Sequence, residues 1–206
     1  MKKYSSFILF AASAIVLSCN NSSNEKTDAP AEDTVTTATP ENSAPAPFTK
    51  EVSYRDYKFT VATKSGDGEH HFTISSQGLT EVNDTFTVDV KGAIKDVIID
   101  DIDGDNSPEI GVIDISGPDQ QGHIHLFSAF NGKSMGTVNF PELPAGDKAL
   151  AGYKGYDEFQ FVESSLVRRF PLFDGETKTG KMRQLQYKLK PGEAMKQVVL
   201  DRTTEF

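Results

Sequence analysis

The sequence predicts an all-β domain: a single β-sandwich or barrel of about eight mostly antiparallel strands, with at most short helical turns. Three observations carry this. Apolar and polar residues alternate over short stretches, the period of a half-buried strand. Turn-forming clusters recur between those stretches. No part of the chain beyond its N-terminal leader shows the long 3.6-residue apolar repeat that a packed helix needs.

The strands follow in order. "SYRDYKFTVAT" (53–63) alternates, and "EVNDTFTVDV" (81–90) places Val82, Phe86, Val88 and Val90 on one face. "DVIID" (96–100), "EIGVIDI" (109–115) and "GHIHLFSAF" (122–130) are short and apolar, as strands under a sheet are. "LVRRFPLF" (166–173) and "RQLQYKL" (183–189) complete the set. Between them lie "KSGDGE", "SQG", "NGK", "LPAGDK", "DGETKTGK" and "KPGE", each rich in residues that turn the backbone. A short helical turn is expected only around "GDKALAGY" (146–153).

Residues 1–18 read as a signal peptide: two lysines, then an apolar run from Phe7 to Leu17. The run is short for a membrane span. It ends "VLSC", which resembles a bacterial lipobox, so Cys19, the chain's single cysteine, is expected to carry lipid. Residues 19–47 hold Asn, Ser, Thr, Ala, Pro and acids, with Val35 the one large apolar side chain. Such a composition cannot bury enough surface to order itself and serves as a tether. Residues 48–206 form the folded domain. The expected location is the bacterial cell envelope, anchored to a membrane, with the outer membrane preferred and the domain facing the periplasm or the cell surface.

The formal charge is −9, and removing Lys2 and Lys3 with the leader takes it to −11. That argues against nucleic acid, which needs basic surface, and suits a cationic partner.

"DIDGDNSPE" (101–109) raises a metal question. Asp101, Asp103, Asp105 and Glu109 supply carboxylates and Ser107 a carbonyl, the hard oxygens that calcium takes. An Asp-rich hairpin turn looks the same, and both readings stay open. Packed acids repel each other, so the loop needs either a cation or water. "HIH" (123–125) lacks a further ligand for zinc and reads as an exposed strand face. There is no nucleophile elbow, phosphate-cradling glycine loop or HExxH, so no enzyme is expected. In "LVRRFP", adjacent strand residues face opposite ways, so one of Arg168 and Arg169 turns inward and needs a carboxylate such as Asp157 or Glu158. An edge strand with both arginines reaching water is the alternative.

The series "DIDGDNSPEIGV", "DISGPDQQGHIHLF", "LAGYKGYDEFQF", "SSLVRRFPLF" and "RQLQYKL" resembles the periplasmic inhibitors of invertebrate-type lysozymes, from roughly Asp96 to Glu193. The resemblance implies a β-sandwich inhibitor whose Ser-Gly-x-Tyr loop enters the lysozyme cleft. Ser116 and Gly117 match that loop's first half, and Asp119, followed by Gln120 and Gln121, stands where tyrosine is expected. No tyrosine lies near this loop in the sequence. The expected partner is a cationic lysozyme, with pairing of the domain with itself left open. The second function class is an envelope lipoprotein with a calcium-stabilised β domain and an unknown ligand.

Overall fold

The computed structural model describes residues 47–63 and 71–206. Those residues form twelve strands in three four-stranded antiparallel sheets, each built from consecutive strands, and none closes into a barrel. The first sheet holds β1 (Thr49–Tyr54), β2 (Tyr57–Thr63), β3 (His71–Gln77) and β4 (Thr85–Asp89). The second holds β5 (Ala93–Asp100), β6 (Glu109–Ser116), β7 (Gln121–Phe130) and β8 (Ser134–Val138). The third holds β9 (Glu158–Phe161), β10 (Leu166–Asp174), β11 (Thr177–Lys190) and β12 (Gln197–Glu205). One 3-10 turn, Lys148–Leu150, lies where the sequence allowed a helical turn.

The all-β class holds, while the strand number exceeds the expected eight or so for local reasons. "SYRDYKFTVAT" is two strands, because Arg55, with φ 53°, makes a two-residue turn and Tyr54 pairs with Tyr57. Alternation continues across so tight a turn and hides it. β3, short β8 and β9, and β12, whose apolar run ends at Leu200 before an exposed polar half, are not among the strands predicted above. Val82 is not on the predicted strand face. Asn83 accepts from Leu79 N–H and donates to Leu79 C=O, which curls the chain before β4 and leaves Val82 exposed.

The middle sheet is covered on both faces. Ile110, Val112, Phe127 and Ala129 pack with Phe59, Val61, Phe72 and Ile74 of the first sheet. Ile113, Ile124 and Leu126 pack with Leu166, Phe170, Leu185 and Val198 of the third. Burial on two faces explains why β6 reads as a nearly unbroken apolar run instead of an alternating one. It also explains Gly111: a Cβ there would lie 2.8 Å from Ile124 Cδ1 and 2.9 Å from Ile98 Cγ1.

This three-layer packing makes a direct prediction. Ile110→Ala and Ile113→Ala point to opposite faces, yet each should cost about 2–5 kcal/mol in urea unfolding, as core truncations do. In a two-layer sandwich one of the two would face solvent, so a near-zero cost for either would contradict the arrangement.

Candidate functional site

The turn between β5 and β6 is organised by its own carboxylates. Asp101 accepts from Gly104 N–H at 2.7 Å and from Asn106 N–H at 2.9 Å. Asp103 accepts from Asp105 N–H, and Asp105 from Ser107 N–H. Gly104 and Asn106 adopt φ of 79° and 67°, a region that Gly and Asn tolerate. Glu109 is 1% exposed and accepts from Ile102 N–H and Ser128 Oγ–H. Ser107 is buried. Asp101, Asp103 and Glu109 bring one oxygen each within 4.8 Å of one another.

The cation among these acids is a side chain. Lys196 Nζ lies 2.7 Å from Asp103 Oδ2, 2.9 Å from Asp105 Oδ2 and 3.3 Å from Glu109 Oε1. Asn139 N–H donates to Lys196 C=O and Val198 N–H to Asn139 C=O, which ties the start of β12 to the chain just past β8 and fixes Lys196 nearby. Nothing in the sequence spacing signals a lysine so far downstream. A calcium ion seated on Asp103 and Glu109 would have to displace this ammonium.

Burial pushes the Glu109 carboxyl up to about 7, against the pull of Ser128 and Lys196. Burial also works against charging Asp105 and Lys196, but pairing wins: Lys196 and the Ser107 N–H hold Asp105 below its ordinary value, and Asp103, then Asp105 and Glu109, hold Lys196 above its own.

The β6–β7 hairpin closes with a four-residue turn, Gly117–Gln120, where Ser116 pairs with Gln121. Residues 117–121 expose their side chains. Their backbone is pinned: Tyr156 N–H is shared between Asp119 C=O at 2.9 Å and Gln120 C=O at 3.0 Å. The approach is so close that a Cβ on Gly155 would sit 2.1 Å from Asp119 O, and only glycine fits there with φ 109°. The fold therefore brings a tyrosine, Tyr156, to a loop that has none nearby in sequence. Its ring stacks on Phe173 at 6.1 Å, with Lys178 Nζ 4.4 Å above it.

Beneath the hairpin lies the inward arginine. Arg168 shares a face of β10 with Phe170, and its Nε donates to Asp157 Oδ1 at 2.7 Å. Arg169 faces outward and bonds Gln184. Asp157 Oδ2 accepts from Gly122 N–H at 2.8 Å and from Tyr153 O–H at 2.6 Å. One buried carboxylate thus joins β7, β10 and the 153–157 segment. Arg168 lies within cation–π reach of Tyr153, Phe159 and Phe170.

The two histidines of "HIH" are half-buried instead of exposed. His125 Nε2 lies 3.0 Å from Asp114, a buried acid that also accepts from Gly92 N–H. Sequence reading missed Asp114 because it sits inside an apolar strand with no pattern of its own. Cys19 and the expected leader and tether lie outside the described residues, except for Pro47. Among the described residues, no helix is long and apolar enough to cross a membrane. No protein-family model, curated protein or solved structure matches this chain.

The acidic turn yields a prediction through Lys196. In the wild type Glu109 holds its proton more tightly folded than unfolded, since about 7 exceeds its ordinary 4.5. Its contribution is therefore full below the ordinary value and is lost as pH rises through about 7. Lys196→Met leaves three acids without their cation, so the cost should be larger at pH 8 than at pH 5, about 2–3 kcal/mol against a smaller loss once Glu109 is protonated. Thermal melts of both proteins at the two pH values check this, and equal losses would contradict it. The wild type should melt alike in calcium and in chelator, because the ammonium already holds the oxygens. A calcium-dependent rise would put an ion there instead.

Proposed function

We propose that this protein is a non-enzymatic binding module of the bacterial envelope, lipid-anchored through Cys19, that inhibits a lysozyme by presenting the 116–121 hairpin tip to its cleft. One observation carries the reading: the side chains of residues 117–121 are exposed while the tip's backbone is held by Tyr156 N–H. A tip with a fixed backbone loses little entropy on docking. Tips of this kind, on a rigid sheet, carry function more often than the strands beneath them.

The chemistry is compatible with a glycosidase cleft, which presents a pair of carboxylic acids and sugar-binding donors. The amides of Gln120 and Gln121 can donate to such acids, and so can the Ser116 hydroxyl by leaving its long 3.5 Å bond to Gln121 C=O. Asp119 is repelled by an ionised carboxylate and attracted by a protonated acid or an arginine, so it selects among targets. The chain's excess of acids favours encounter with a cationic enzyme by raising the association rate.

The test is inhibition of invertebrate-, chicken- and goose-type lysozymes by the wild type and by a variant with Gly117–Gln120 replaced by Gly-Ser-Gly-Ser. At least one enzyme should be inhibited, and the swap should weaken binding by about tenfold or more, about 1.4 kcal/mol. Ser116→Leu should weaken it in the same direction. Inhibition of none, or inhibition that survives the swap, counts against the tip. Fractionating cells that express Cys19→Ala tests the anchor: the variant should leave the membrane fraction, and unchanged association would contradict lipidation.

A further inference from the structure

The first part of β7 has an open edge. Strand β8 pairs with β7 only over Leu126–Phe130, so residues 121–125 meet no strand on that side among the described residues. A cleft of about 470 Å³ opens there, between that edge, the 140–143 segment and the inner face of the third sheet. Its size is in the range that takes a small organic ligand.

Phe140, Leu143 and Phe159 form an apolar wall, Gln121, His123 and His125 line the β7 edge, and Arg168 and Tyr187 form a polar floor. Tyr187 is 2% exposed, and its hydroxyl makes no hydrogen bond of good geometry, with the Arg168 guanidinium the donor that approaches it. A buried hydroxyl without a well-formed bond is costly and calls for an explanation. Arg168 places Nε on Asp157, and its guanidinium also faces the Tyr153 and Tyr187 hydroxyls, so its Nη groups point toward the same floor. The flanking rings of Tyr153 and Phe170 limit how the guanidinium can turn. The acceptors of Asp157 are already taken by Arg168, Gly122 and Tyr153. At the rim, Lys91 lies 3.9 Å from Glu142, so the two charges offset each other.

We propose that this cleft binds a small amphipathic carboxylate, its two oxygens held by Arg168 and the Tyr187 hydroxyl and its apolar body lying between Phe140, Leu143 and Phe159. Converging donors beside an acceptor that is already filled fit a carboxylate, which only accepts. A hydroxyl-rich ligand would need free acceptors on the floor as well. This site stands on different atoms from the hairpin tip and does not depend on what the tip engages.

The experiment is an NMR titration of the full chain with N-acetyl-L-phenylalanine, 4-phenylbutyrate and octanoate, each compared with its amide. At least one acid should bind saturably, with shifts at Gly122, Phe159 and Tyr187, and its amide should bind about tenfold more weakly or worse. Tyr187→Phe should weaken that acid about fivefold or more, while the melting temperature without ligand does not fall, because the hydroxyl it removes makes no well-formed hydrogen bond in the protein. The proposal is overturned if no acid saturates by about 10 mM, if acid and amide bind alike, if Tyr187→Phe binds as the wild type does, or if that variant melts lower.

Discussion

The carboxylate of Asp157 is the constraint on which the hairpin tip and the cleft both depend. It is buried, and it accepts from Arg168, from the Gly122 backbone and from the Tyr153 hydroxyl. Burying an ion costs several kcal/mol unless its hydrogen bonds are made, and here three donors make them. The three come from β10, β7 and the segment before β9, so satisfying one charge fixes three pieces of chain relative to one another. Tyr156, next in sequence, then reaches the tip's carbonyls. Gly122 is required by the same closeness, since a Cβ there would lie 2.7 Å from Asp157 Cβ.

The acidic turn solves the same problem with a cation borrowed from the far end of the domain. Its carboxylates repel one another, and Lys196, just before β12, pairs with three of them. Both arrangements bind distant strands through a buried or half-buried acid, and both work across sheets that are otherwise joined by apolar contacts. Arg183 does a smaller version of this, donating to the carbonyls of Lys148, Ala149 and Ala151 and to Glu205.

How much of this was legible in the sequence follows from the range of each interaction. The β class was legible because alternation and turns are local. The inward arginine was legible because two adjacent residues on a strand cannot face the same way, and the acid nearby in "GYDEF" limits the choice of partner. The turn's self-capping by Asp101 was legible as an Asp-rich turn. Lys196, Tyr156 at the tip and the buried hydroxyl of Tyr187 were not, because each depends on where a distant strand lands. The third layer was hidden for the same reason: no local pattern says that a strand is covered on its second face, only that it is unusually apolar.

The most direct test of the Asp157 account is amide hydrogen exchange at Gly122 in Asp157→Asn. The substitution keeps size and shape, and its remaining carbonyl can still accept from Arg168, but its amide group cannot also accept from Gly122 N–H. The account predicts that exchange at Gly122, and with it at Tyr156, accelerates about tenfold or more beyond any change at the centres of β6 and β7. Exchange at Gly122 that changes no more than at Val112 and Leu126 would show that the hairpin is held by something other than this carboxylate.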